Sequence, residues 1–120
     1  MHALETSRLL TEEYSAKILL ATTGRPKSAF ELSEKLGIPI AACYRKIKTL
    51  ETSGFIYCTE RHLTRAGKRI SLYKSKVKVA QIVIEGNRVR TKLEMIDGTT
   101  QDASFDVDLK SFLTESVGGL

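Results

Sequence analysis

A chain of 120 residues, 42% of them hydrophobic, suits one compact domain with at most a small appendage and is too apolar to stay disordered. No apolar run approaches the roughly 18 residues of a membrane span, and the first ten residues lack a basic start followed by an apolar stretch, so a cytoplasmic location is expected. The net charge of +5 is uneven: up to Lys92, 18 Lys and Arg stand against 8 Asp and Glu, and from Leu93 onward 1 stands against 6, so a basic body carrying an acidic end points to an anionic partner.

In chain order, residues 1–10 read as an N-terminal extension. Thr11 is placed to cap a first helix, with Glu12 and Glu13 in its first turn, where the dipole favours acids. Tyr14, Ile18 and Ala21 fall on one face, Leu19 and Leu20 widen the stripe, and Gly24 and Pro26 end the helix. Ser28 caps a second helix, with Glu31 at capping-box spacing and Phe30 (or Ala29), Leu32 and Leu36 as its apolar face. Gly37 suits the left-handed position after that helix, and Pro39 the first turn of a third. Only about three residues separate the two helices, as a helix-turn-helix requires.

The third helix runs from about Pro39 to Ser53 and is closed by Gly54. Cys43, Ile47 and Leu50 stack on one side at helical spacing. Ala41, Arg45, Lys48 and Thr52 take the opposite side, with Tyr44 on the flank. Beyond Gly54, "FIYCTERHL" and "KRISLYKSKV" read as two strands turning at Gly67. From Arg61 to Lys78 there are seven bases and no acid, the footprint expected of phosphate binding, although a solvated hairpin is the plainer alternative. A second hairpin follows: Val79, Ile82 and Ile84 lead to a Gly-Asn turn, and Val89, Thr91, Leu93 and Met95 alternate on the return. The apolar phase shifts between Val79 and Ile82, which suggests a bulge. For the tail two readings stand side by side, a short helix capped by Asp108 (Leu109, Phe112 and Leu113 on its face) or an extended "SFDVDL".

With these elements in place, the chain resembles the ArsR-like winged helix-turn-helix regulators, especially small archaeal ones, over roughly Thr11 to Ser75. The resemblance rests on "GIPIAACYRKIKTLETSGFI", in which Gly37, Cys43, Arg45, Ile47, Leu50, Glu51 and Gly54 each occupy the family's place without a gap. It implies an α+β fold: a three-helix core with a β-hairpin wing at 11–75, and a C-terminal hairpin and tail at 76–120 serving as the dimerisation segment. The chain departs from the family in two places. Ile38 and Pro39 stand where a Ser or Thr often caps the recognition helix, and "AFELSEKLG" lacks the cysteine pair of metal-sensing members.

The candidate DNA-binding residues are Ala41, Tyr44, Arg45 and Lys48 on the third helix, and Arg65, Lys68 and Arg69 around the Gly67 turn. An Arg on a groove-entering helix makes two hydrogen bonds to guanine. Ala41 permits close approach and meets a thymine methyl. Tyr44 either donates to a phosphate or packs against the neighbouring helix. The turn cations suit phosphates or a narrow minor groove. Cys43 and Cys58 have no zinc-ligand spacing and read as core; His62 reads as exposed. No cofactor or metal is expected. Nothing argues for catalysis, since Asp97, Asp102, Asp106 and Asp108 bracket a turn and a tail without calcium-loop spacing. The expected partners are double-stranded DNA and a second copy of the chain; the rival reading is a winged helix that assembles with another protein through its acidic end.

Overall fold

The chain is already helical where its description begins: the computed structural model describes residues 3–106, and α1 spans Ala3–Thr11. Thr11 therefore closes one helix and does not cap the next; its hydroxyl donates to the Ser7 carbonyl at 2.6 Å. The cap of α2 (Glu13–Ala21) is Glu12, whose carboxylate accepts the N–H groups of Tyr14 at 3.2 Å and Ser15 at 2.8 Å. A carboxylate here satisfies two orphan donors and places a negative charge at the positive end of the dipole. Ile18 and Leu19 face inward, but Leu20, expected to widen the stripe, is 74% exposed.

A two-residue strand, β1 (Lys27–Ser28), leads directly into α3 (Ala29–Leu36). The Ser28 hydroxyl accepts the Glu31 N–H at 3.1 Å, as the sequence spacing requires. Ala29 is the buried residue of the pair, and Phe30 lies outside. Gly37 adopts φ 67°, which brings its N–H to the Ser33 carbonyl and ends α3. Ile38 drops into the core. Pro39 is the N-cap of α4 (Ile40–Thr52) rather than a residue of its first turn, and it offers no side-chain hydrogen bond.

The β2 (Ile56–Leu63) and β3 (Arg69–Ser75) strands form a hairpin over Gly67, and β1 joins the far side of β3, giving the order β1-β3-β2. A second hairpin joins β4 (Val77–Glu85) to β5 (Arg88–Met95). Its irregularity lies between Val77 and Val79, just ahead of the expected position. The tail enters this sheet as β6 (Thr100–Asp106), antiparallel to β5, so the extended alternative holds through Asp106. The helix expected after Asp108 lies outside the described residues.

The fold is thus α+β, with four helices and two three-stranded antiparallel sheets among the described residues. One core serves both sheets: Ile18, Leu32, Ile47, Leu50 and Phe55 from the first part of the chain join Val77, Leu93 and Met95 from the second. The Ser75 N–H donates to the Thr22 carbonyl at 3.0 Å and the Lys76 N–H to the Phe55 carbonyl at 2.8 Å, which ties the link between the sheets to the helices. α1 lies on the second sheet, with the Ser7 and Thr91 hydroxyls 2.9 Å apart. The far ends of the hairpins are solvated, and this lengthens the molecule. Its radius of gyration is 17.9 Å and its extents are 65 × 33 × 19 Å, against the radius of about 14 Å of a compact chain of this length.

Candidate nucleic-acid interface

The two faces of α4 separate as helical periodicity demands. Cys43, Ile47 and Leu50 are buried, with Ala42 beside them, while Ala41, Arg45, Lys48 and Thr52 are exposed on the other side. Tyr44 is 58% exposed, so its ring is not buried against the neighbouring helix. Lys46 points the other way. Half-buried, it sits 3.4 Å from the Glu12 carboxylate and helps anchor α4 to the start of α2. Burial raises the Glu12 pKa, but the N–H groups of Ser15 and Tyr14, the Ser15 hydroxyl and the Lys46 charge outweigh it and hold the carboxyl below its usual range.

The hairpin presents a second set. Its turn is closed by a hydrogen bond from the Thr64 N–H to the Lys68 carbonyl at 2.8 Å and from the Gly67 N–H to the Thr64 carbonyl at 2.9 Å. Arg65, Lys68 and Arg69 surround this turn, all exposed. The register places Leu63 opposite Arg69 and Arg61 opposite Ser71, so Arg61 projects from the same face as Arg69. Arg61 is thus a candidate that sequence alone did not select, because its face is set by the cross-strand register of the hairpin. The helix set and the hairpin set occupy separate elements, joined by the base of β2, where Ile56 is in the core.

Ion pairs engage Lys17 with Glu13, Arg25 and Lys35 with Glu31, Lys46 with Glu12, Lys78 with Glu94, Arg88 with Asp106 and Arg90 with Asp102, while Arg8, Lys27, Lys74, Lys76 and Lys92 form none among the described residues. Glu31, hydrogen-bonded by Arg25 and then Lys35, is held at a pKa of about 2. Arg45, Lys48, Arg61, Arg65, Lys68 and Arg69 also take part in no ion pair among the described residues, and they lie on α4 and on the β2–β3 hairpin. Surface pairs stabilise little, yet they cancel charge, and none does so for these six cations. Neither the protein-family models nor the curated proteins compared with this chain match it.

The remaining polar candidates fall outside this surface. The Cys43 thiol is buried and donates to the Ala29 carbonyl at 3.5 Å; burial pushes its pKa up, which keeps it protonated and unreactive. Cys58 is only half-buried, less enclosed than expected. His62 lies 3.9 Å from Glu60 on the hairpin. No group of three or more His, Cys, Asp or Glu is gathered as a metal site among the described residues, and no described helix is long and apolar enough to cross a membrane. The acids Asp102 and Asp106 of β6 are matched by Arg90 and Arg88 of β5, which reduces the negative field the tail offers to a basic partner.

Proposed function

We propose that the protein is a sequence-specific, double-stranded-DNA-binding transcriptional regulator of winged-helix type. In this reading α3 and α4 form the helix-turn-helix, α4 is the recognition helix in the major groove, and the β2–β3 hairpin is the wing on phosphates or the minor groove. The carrying observation is the outward strip of Ala41, Arg45 and Lys48, exposed on α4 opposite the buried Cys43, Ile47 and Leu50, beside a hairpin turn whose cations are exposed as well. Arg45 reads a base, with guanine the natural partner of its fork. Ala41, nearer the helix start, leaves room for close approach. Tyr44 and Lys48 hold the backbone, as do Arg65, Lys68 and Arg69. A single helix offers few base contacts, so a symmetric dimer on a near-palindromic site completes the reading. Occupancy of a promoter then blocks or recruits the transcription machinery.

Selection of bound fragments from a random duplex pool is the direct test, followed by titration of the selected site against random duplex at two salt concentrations. Arg45→Ala should lower affinity for the selected site by about 1–3 kcal/mol and relax preference at one position of each half-site. Retention of both affinity and preference would remove Arg45 from base reading. Absence of any salt-dependent binding would remove DNA altogether.

A further inference from the structure

The second sheet ends on one side at β4, because its strand order is β4-β5-β6. From Val79 to Glu85 the outer backbone groups of β4 meet no hydrogen-bond partner among the described residues. The segment Val79–Ile84 reads Val-Ala-Gln-Ile-Val-Ile, six residues without a charge, a proline or a glycine. A bare edge of this composition is a template for another strand. The opposite edge, β6, is of another kind: Asp102 and Asp106 interrupt it, as protected edges do. One edge is guarded and the other left open.

The side chains on the open edge agree. Ala80, Ile82 and Ile84 stand opposite Leu93, Thr91 and Val89, so they share the apolar face of the sheet. Leu93 and Thr91 are buried, whereas Ile82 and Ile84 are exposed, Ile84 to 75%. Beside Ala80 an apolar groove runs toward the helices, lined by Leu10, Ala16, Leu19 and Leu20. Charge stands only at the two ends of the segment, Lys78 before it, 3.5 Å from Glu94 of β5, and Glu85 after it.

We propose that two copies of the chain pair through the β4 edge, antiparallel about a twofold axis near Gln81 and Ile82, making one six-stranded sheet. This deepens the dimer of the DNA-binding reading by giving it an interface, but the pairing itself needs no DNA. The end charges select the arrangement. In an antiparallel pair Lys78 of one copy comes beside Glu85 of the other, twice by symmetry, whereas a parallel in-register pair sets Lys78 against Lys78 and Glu85 against Glu85. The same rotation keeps Ile82 and Ile84 of both copies on one face and brings Ile84 of each to the mouth of the other's groove, next to Ala80. Because a twofold contact uses the β4 edge of both copies, the assembly closes at two.

Sedimentation equilibrium across a dilution series, without DNA, reads this directly. The wild-type chain should associate to a dimer. Ile82→Lys, which sets two cations face to face at the axis, and Ile84→Lys, which puts an ammonium against the other copy's apolar groove, should each weaken it more than about a hundredfold, with unchanged circular dichroism. Lys78→Glu alone and Glu85→Lys alone should each weaken it about tenfold, and the double variant should recover to within about threefold of wild type. A wild-type chain that stays monomeric throughout, or forms fibrils, overturns the proposal. So does a dimer indifferent to Ile82→Lys and Ile84→Lys, or a double charge swap that fails to recover after both single swaps weaken. Arg45→Ala should leave the dimer intact, and Ile84→Lys should keep salt-dependent DNA binding as a monomer, so the two readings fail separately.

Discussion

The Glu12 carboxylate accepts the N–H groups of Tyr14 and Ser15 and the hydroxyl of Ser15 at 2.9 Å, and it lies 3.4 Å from the Lys46 ammonium. It sits at the junction where α1 ends and α2 begins, so one side chain fixes the helix start and ties α4 to it. Ser15 is fully buried, and without Glu12 its hydroxyl has to find another acceptor. Glu12→Ala should therefore cost about 2 kcal/mol, the upper end of an N-cap loss, read as a lower midpoint of chemical denaturation at unchanged slope. The sign with pH follows from the lowered pKa. A carboxyl held below its unfolded value of 4.5 contributes its full stabilisation above that pH and loses it progressively as the pH falls below it. The wild type should lose stability through this acid range more steeply than Glu12→Ala. At the same scale, Thr11 stood where a hydroxyl cap was expected because Ser, Thr and Asp head the cap preferences. What decided the cap was α1 running up to Thr11 itself, and that depends on the contact of α1 with a sheet some eighty residues away.

Among elements, α3 and α4 were legible because their boundaries, apart from the start of α4 at Pro39, are written within four residues of themselves: Ser28 with Glu31, Gly37 in the left-handed region, Gly54 at φ 81°. The two faces of α4 were legible because a periodicity of 3.6 needs no knowledge of the rest of the chain. β1 was not, since two residues carry no periodicity, and their strand character comes only from pairing with Tyr73 and Leu72. β6 was legible only as one of two alternatives, an extended "SFDVDL"; the strand begins earlier, at Thr100, and Arg88 and Arg90 across the ladder pair with its acids. The β2–β3 hairpin belongs to the legible group, and it carries a prediction of its own. Its exposed Lys68 and Arg69 are outside any ion pair among the described residues, so replacing both by Ala leaves no scaffold contact broken and should change stability little. If both meet phosphates, log affinity for DNA plotted against log salt should lose about 0.9 of a unit of slope per contact removed, nearly uniformly across sequences. An unchanged slope would detach the hairpin from the nucleic acid while leaving the role of α4 untouched.

For the whole molecule, what matters is that the core crosses from one sheet to the other. Residues 76–106 extend far from the helices, and their outer half is solvated, but Val77, Leu93 and Met95 enter the cluster that holds Ile18, Leu32 and Leu50. Backbone hydrogen bonds from Ser75 and Lys76 to Thr22 and Phe55 cross the same boundary. The surface that carries Arg45 and the edge proposed to pair with a second copy thus hang on a shared interior, so a change of stability at one is felt at the other. Leu93→Ala tests this. Leu93 is nearly fully buried, and its truncation should cost about 2–5 kcal/mol. If the C-terminal sheet were a separate folding unit, its loss would leave the helical signal standing, and far-ultraviolet circular dichroism would show two transitions. With one core the helices melt with the sheet. The expectation is a single transition at lower temperature in which helical ellipticity and the hydrogen-exchange protection of the β4–β5 amides are lost together, and divergence of the two probes would divide the molecule at residue 75.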